Sequence, residues 1–174
     1  STIHTGYFDQ RSEDILSNSD AQKRVIDYIK DVASIVETSD GTQITASQML
    51  ERFLFTSNQQ YTPIFKLSGG EKRRLFLLKL LMSAPNVLLL DEPTNDLDVQ
   101  TLAVLEEYIE SFIGCVIIVS HDRYFLDRTV NTIFAIETDG NIRQYPGNYS
   151  VYLDYKKQQE KADKNSISAV EQVN

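Results

Sequence analysis

Cysteine is nearly absent from this chain of 174 residues, in which Cys115 is the only thiol. An internal disulfide is therefore impossible, and the sequence fits a reducing compartment such as the cytoplasm. Cys115 itself is expected to be a small buried residue on a strand. Long apolar runs are also missing: the longest lie near 87–90 and 112–119, whereas a membrane-spanning helix needs about 20 apolar residues. The sequence therefore predicts a cytoplasmic protein with no membrane segment.

Positive charge is in short supply. The 17 lysines and arginines are outnumbered by 25 aspartates and glutamates, which gives a net charge of −8. Binding to nucleic-acid phosphates depends on clustered basic side chains, and the basic stretches at 72–74 and 156–157 are short. The composition therefore argues against broad nucleic-acid binding by these residues alone.

A third absence concerns phosphate binding. The chain has seven glycines, and none of them lies in a G-x-x-x-x-G-K-[ST] sequence, the loop whose backbone amides hold nucleotide phosphates in many enzymes. The usual loop for gripping a nucleotide is thus missing from the sequence.

The hydrophobic pattern that is present predicts an α/β fold with a mostly parallel sheet. Continuous apolar runs are typical of strands buried in such a sheet, and they occur at 87–90 and 115–119. Further strands are expected at 2–8, 132–137 and 142–145, and helices at 21–36, 46–54, 69–82, 101–112, 122–128 and 149–164. The polar residues 56–66 are expected to form a loop. The segment of about 11–83 therefore predicts a helical subdomain inserted between two strands.

Two adjacent carboxylates follow the apolar run at 87–90. Asp91 and Glu92 are expected at the carboxyl end of that strand, the edge where ligands bind in open α/β sheets. The first carboxylate suits a Mg²⁺ ion, and the second could orient or deprotonate a water molecule that attacks a phosphate. The plainer alternative is a solvated acidic turn, which the continuation from Pro93 to Asp98 makes less favourable.

A helix that begins with glycines offers a second phosphate contact. Ser68 directly precedes the helix expected at 69–82, and Gly69 and Gly70 begin it. Glycines let backbone amides approach an anion closely, and a helix N-terminus carries partial positive charge. An ordinary helix cap would explain this stretch equally well if it stood alone, but its place ahead of the carboxylate strand favours a functional contact.

Two more polar side chains follow expected strands. His121 comes just after 115–119 and could donate a hydrogen bond to a phosphate or to the attacking water. Gln10 follows the first strand and could bind a metal ion or water through its amide oxygen. Each is a weak indication alone, since structural histidines and surface glutamines are common.

Taken together, these motifs resemble the ABC ATPase superfamily over residues 2–150. The sequences L-S-G-G-E at 67–71, D-E-P-T-N-D-L-D at 91–98 and S-H-D-R-Y-F-L-D at 120–127 are similar to the ABC-F subfamily, whose members have two cassettes and no transmembrane domains. The spelling looks like the second cassette of a Uup-like member. The resemblance implies a partial ABC-type cassette at 1–150 and a C-terminal helix or linker tail at 151–174.

The resemblance also implies catalytic roles. Glu92 would be the catalytic carboxylate, His121 the switch histidine and Asp91 the carboxylate that holds Mg²⁺. The sequence G-Y-F-D-Q at 6–10 is similar to the family's Q-loop, so Gln10 would lie near Mg²⁺ and the attacking water. The full-length protein would then bind ATP with Mg²⁺ and hydrolyse it.

Other residues are expected at an interface between two cassettes. Ser68, Gly69 and Gly70 would touch the γ-phosphate of ATP held by the second cassette, and Asp98 would reach across the same interface. The resemblance further implies binding to the ribosome through an arm between the cassettes, which these residues do not contain. Without the phosphate loop, the 174 residues alone are expected to bind ATP weakly and hydrolyse none. The family's fold would place the strand of the phosphate loop beside the strand at 87–90, so this strand is expected either to have an open neighbouring position or to lie in a rearranged sheet.

Two other functions stay open. An ATP-binding subunit of a membrane ABC transporter would use the same chemistry, although L-S-G-G-Q would be more typical there than the sequence ending in Glu71. A non-catalytic interaction module, docking through residues 11–66 or through the basic tail, is less favoured because Glu92 and His121 are both present.

Overall fold

The computed structural model describes residues 2–9, 18–37 and 41–171, which fall into two compact units, Ser1–His121 and Asp122–Asn174. The strands are β1 (Thr5–Phe8), β2 (Ile35–Glu37), β3 (Gln43–Thr45), β4 (Val87–Asp91), β5 (Cys115–Val119), β6 (Thr132–Ile136) and β7 (Ile142–Pro146). The helices are α1 (Asn18–Ala21), α2 (Val25–Lys30), α3 (Ala46–Arg52), α4 (Ser57–Gln60), α5 (Gly69–Met82), α6 (Pro93–Asp96), α7 (Val99–Ser111), α8 (Arg123–Thr129) and α9 (Tyr149–Glu171). Within these ranges, no helix is both long enough and apolar enough to cross a membrane.

Three strands of the first unit form a parallel sheet in the order β1-β4-β5. Leu88 lies between Gly6 and Val116 in the register of this sheet, and its side chain is fully buried. Leu90 and its partner Phe8 are buried on the same face. The α/β class with a parallel sheet and an inserted helical subdomain is thus confirmed.

Of the two alternatives for the strand at 87–90, the open neighbouring position is not found among the described strands, because β4 has β1 on one side and β5 on the other. Strand β5 pairs with β4 and forms one edge of the sheet among the described strands. Cys115, Ile117 and Val119 alternate along one face of β5 and are exposed. Cys115 is therefore not buried as expected: a wholly apolar strand suggests cover on both faces, whereas this face of β5 is open.

The helical subdomain lies between β1 and β4 and has its own apolar core. Its fully buried side chains include Val25, Ile29, Leu50, Phe55, Ile64, Leu75 and Leu78. Helix α5 has the predicted bounds and packs closely on β1, since a Cβ on Gly6 would lie 3.2 Å from Leu80. Helix α5 begins at the glycines that the sequence singled out, and its C-terminal half packs against β1.

Two local predictions in this subdomain are wrong. The single helix expected at 21–36 is α2 alone, and Ile35–Glu37 instead pairs with Gln43–Thr45 as an antiparallel hairpin. The β-branched residues Ile35 and Val36 favour an extended backbone when a partner strand is available. The loop expected at 56–66 contains α4 and a 3₁₀ turn at Ile64–Lys66, because Thr56 and Gln59 form a capping box.

The second unit contains α8, the β6–β7 hairpin and α9. Tyr145 of β7 is buried and its ring contacts those of Tyr152 and Tyr155 on α9. Its hydroxyl donates to Glu137 Oε1 at 2.7 Å, and Lys156 pairs with the same carboxylate. The expected division into a partial cassette at 1–150 and a C-terminal tail at 151–174 stays a prediction.

Candidate active site

The carboxyl ends of β4 and β5 bring the two principal sequence motifs together. Asp91 pairs in register with Val119, so the residues that follow these two strands leave the sheet at the same edge. Glu92 N donates to Val119 O at 2.8 Å, and Thr94 Oγ1 lies 3.4 Å from Ser120 Oγ. The loop after β4 is thereby tied to the loop after β5.

Glu92 is the centre of this arrangement. Its backbone is left-handed, with φ +48° and ψ +49°, and its side chain is only 14% exposed. Oε2 accepts a hydrogen bond from His121 N at 3.2 Å, and Oε1 lies 3.4 Å from His121 Nε2. The imidazole of His121 is 99% exposed, so a sheltered carboxylate stands beside a ring that is open to solvent.

Asp91 ends β4 and is half-buried. The Tyr7 hydroxyl donates to its Oδ2 at 3.5 Å. Among the described residues, no group of three histidine, cysteine, aspartate or glutamate side chains is arranged to hold a metal ion. Mg²⁺ commonly uses one or two protein carboxylates together with phosphate oxygens and water, so a single carboxylate here suits a metal that arrives with a nucleotide. Gln10, expected to share this metal, lies outside the described residues.

Ser68, Gly69 and Gly70 form the N-terminus of α5 and are exposed. Ser68 and Glu71 make a capping box: Ser68 N donates to Glu71 Oε2 at 2.8 Å, and Glu71 N donates to Ser68 Oγ at 3.3 Å. No atom lies within 4 Å of a Cβ built on Gly70. The helix N-terminus is therefore exposed at both glycines, with open space beside Gly70.

Glu71 connects this cap to helix α4. Its Oε1 accepts a hydrogen bond from Gln59 Nε2 at 2.7 Å. The hydrogen bonds from Ser68, with smaller contributions from Arg74 and Gln59, lower the pKa of Glu71 despite its partial burial. The carboxylate is thus ionised at neutral pH and braces the start of α5.

Asp98 caps α7 and also contacts α5. It accepts from Thr101 N at 3.0 Å and from Thr101 Oγ1 at 2.8 Å, and its Oδ2 lies 3.5 Å from Arg74 NH1. Burial acts to raise the pKa of Asp98, but the Thr101 hydrogen bonds and the Arg74 charge outweigh it and lower the pKa. The sequence pattern of Asp98 three residues before Thr101 indicates such a cap, whereas nothing in the sequence pointed to Arg74.

Comparison with known proteins identifies the family. The sequence profile of the ABC transporter family matches residues 2–95. The chain is 55% identical over 163 residues to the ABC transporter ATP-binding protein YfmR of Bacillus subtilis, covering 94% of this chain and 25% of that protein. It is 42% identical to the ATP-binding protein Uup of Escherichia coli, covering 84% of this chain and 22% of Uup.

A third relative is the energy-dependent translational throttle protein EttA of Haemophilus influenzae, which is 44% identical over 79% of this chain and 25% of EttA. The chain thus spans about a quarter of the length of these curated relatives.

The fold is also found among solved structures. A dimeric ATP-binding cassette in a post-hydrolysis state, bound to ADP and Pi, aligns with a TM-score of 0.55 over 83% of this chain and 63% of that chain, at 18% identity. The chain is thus similar to Uup and EttA along most of its length, and it belongs to the ABC transporter family.

Proposed function

We propose that the whole protein hydrolyses ATP and that Glu92 is its catalytic carboxylate. The observation that carries this proposal is the contact between Glu92 and His121, with Oε1 3.4 Å from Nε2, directly after Asp91 at the carboxyl edge of the sheet. Membership of a family of ATP-binding cassettes supplies the substrate class.

The chemistry follows from the surroundings of Glu92. A carboxylate that is mostly sheltered and held by a backbone amide keeps a fixed direction, which suits a group that orients water and accepts its proton. His121 would donate from its exposed ring to a phosphate oxygen or to that water. Asp91 would hold Mg²⁺, which would neutralise phosphate charge when bound with ATP.

The remaining assignments concern an interface with a second cassette. The open N-terminus of α5 at Ser68, Gly69 and Gly70 would meet the γ-phosphate of ATP held there, and Asp98 would lie beside the same interface. A helix N-terminus with exposed glycine amides is a natural anion contact. Gln10 is proposed as a further ligand or water contact.

A ribosome-associated role in translation is proposed for the whole protein. It is supported by the relative named as a translational throttle, of which this chain covers a quarter. The protein is accordingly proposed to be cytoplasmic, with a second cassette and the ribosome as partners. The runner-up is the ATP-binding subunit of a membrane transporter, which the description of the matching family favours.

Replacing Glu92 by glutamine tests the catalytic assignment. In the whole protein, Glu92→Gln keeps the shape of the side chain but removes the proton acceptor, so we expect ATP turnover to fall at least ~100-fold while ATP binding is retained. Phosphate release and nucleotide filter binding measure the two quantities. Glu110→Gln, on the exposed face of α7, is the matched control. Unchanged turnover in Glu92→Gln would remove this residue from the mechanism.

Co-sedimentation separates the two candidate partners. We expect the whole protein carrying Glu92→Gln to pellet with ribosomes when ATP is present and to stay in the supernatant without nucleotide, because ATP would be bound and not hydrolysed. A transporter subunit would instead pellet with membrane vesicles and ignore ribosomes, and that result would favour the runner-up.

A further inference from the structure

Arg74 joins two segments that are far apart in the sequence. It lies on α5, four residues and about one helical turn after Gly70. Its guanidinium carbon is 4.8 Å from the centre of the Phe55 ring, and its NH1 is 3.5 Å from Asp98 Oδ2. The side chain is only 12% exposed. The guanidinium of Arg74 is therefore mostly buried, and it lies between the Phe55 ring of the helical subdomain and Asp98 at the start of α7.

Both carboxylate oxygens of Asp98 have partners within this chain. Oδ1 accepts from Thr101 N, and Oδ2 accepts from the Thr101 hydroxyl while facing Arg74. The lowered pKa of Asp98 keeps this group charged at neutral pH. The same carboxylate thus begins helix α7 and draws α5 towards it.

We infer that Arg74 is a positioning residue that, through its ion pair with Asp98, holds the N-terminus of α5 and the 92–98 segment in a fixed relation. The inference rests on the proposed function, because each of these two segments would face an ATP molecule. The Ser68–Gly70 amides would meet the ATP held by the second cassette, and Glu92 the ATP held by its own cassette. It gives Asp98 a role inside its own cassette, alongside the cross-interface role that the family resemblance implied.

A contribution to stability alone is a poor explanation for the pair. The Asp98 side chain is 54% exposed, and ion pairs with an exposed partner add little to the free energy of unfolding. A small misplacement of reacting groups, in contrast, has a large effect on a catalytic step. Loss of the pair should therefore be visible in turnover before it is visible in thermal unfolding.

The test is a double-mutant cycle in the whole protein. Arg74→Met keeps an unbranched apolar stem beside Phe55 without the charge, and Asp98→Asn keeps a good helix cap without the charge. We expect each variant to lower kcat about tenfold, to leave the KM for ATP nearly unchanged, and to be no worse in combination than the poorer single variant. Arg74→Lys should restore part of the loss.

Matched controls come from Arg24 and Asp27, an ion pair at 2.6 Å whose arginine also lies over a tyrosine ring, that of Tyr61. Arg24→Met and Asp27→Asn should leave kcat unchanged. Hydrogen exchange of 68–71 and 92–98 gives a second measurement that needs no ATP hydrolysis, and we expect faster exchange in both segments in either Arg74→Met or Asp98→Asn.

The outcomes are distinct. Losses in kcat that multiply in the double variant would show that Asp98 acts independently of Arg74, and unchanged kcat with unchanged exchange would also overturn the inference. If the wild-type protein hydrolyses no ATP but exchange still rises in both segments in both variants, the proposed function fails and the positioning role of Arg74 stands.

Discussion

At the scale of single residues, Gly114 shows how tightly the chain is packed where β4 and β5 begin. A Cβ at this position would lie 2.5 Å from Asn86 O and 2.7 Å from a ring carbon of Phe112. Asn86 O also accepts the hydrogen bond from Cys115 N that starts β5. The backbone therefore has little freedom to move away from an added methyl group.

We expect Gly114→Ala to lower the free energy of unfolding by about 1–3 kcal/mol, the usual cost of overpacking. Gly70→Ala is the matched control, because nothing lies within 4 Å of its Cβ and alanine favours a helix over glycine by up to about 1 kcal/mol. Urea denaturation of the two variants measures both effects. Equal stability of the two variants would contradict the close approach of Asn86.

The proximity of Glu92 and His121 could be predicted because parallel strands end at a common edge, and each residue is the second one after an apolar run. The ion pair between Arg74 and Asp98 could not. Its partners are separated in the sequence by the rest of α5, by β4 and by α6. The distance between them depends on how α5 and α7 pack, which no local pattern encodes. The sequence alone therefore does not predict which side chains of different elements come into contact.

At the scale of elements, helix α5 is a segment whose two ends are both set by local sequence signals. Ser68 and Glu71 supply a capping box, and Ala84-Pro85 prevents continuation, so the predicted bounds of 69–82 are confirmed. The stretch at 21–36 lacked such a C-terminal signal. Its helical period continued through residues that find a better partner in the β2–β3 hairpin, and a pairing partner is invisible to a periodicity argument.

The start of α5 should be sensitive to acid. The pKa of Glu71 is lowered from its ordinary 4.5 by the hydrogen bonds from Ser68, so its stabilising contribution is fully present above pH 4.5 and is lost as the pH falls through the lowered pKa. We expect Glu71→Gln, which keeps a hydrogen-bond acceptor without the charge, to show a shallower loss of stability below pH 4.5 than the wild type.

Chemical denaturation between pH 3 and pH 6 (about the range over which carboxylates titrate) measures this difference. Glu51→Gln, an exposed glutamate on α3, serves as the control and should follow the wild-type curve. Parallel curves for Glu71→Gln and the wild type would mean that the charge of Glu71 does not support the helix.

At the scale of the whole molecule, the order β1-β4-β5 places the carboxylate strand in the centre of the described sheet. The sequence predicted the three strands of this sheet but not their order, and the open position that it allowed beside β4 is filled, because apolar runs reveal burial and not neighbours. The exposed Ile117 and Val119 on β5 show that one face of this strand is uncovered. A phosphate loop of the usual spelling is absent from all 174 residues.

We expect these 174 residues by themselves to bind Mg-ATP weakly and to release no phosphate, because backbone amides and a lysine of a phosphate loop supply most nucleotide contacts in such enzymes. Isothermal titration with Mg-ATP checks this expectation, with the whole protein as the positive control. A dissociation constant in the micromolar range for the 174 residues would contradict it.

The left-handed backbone at Glu92 has a consequence for engineering. Such a conformation costs a residue other than glycine about 1–3 kcal/mol, so Glu92→Gly would relax the turn after β4 while deleting the carboxylate. A screen that rewards heat resistance alone would favour that exchange. With Glu92 in its proposed catalytic role, a stabilised variant of this protein would also have to be selected for turnover, since stability and activity favour different residues at this turn.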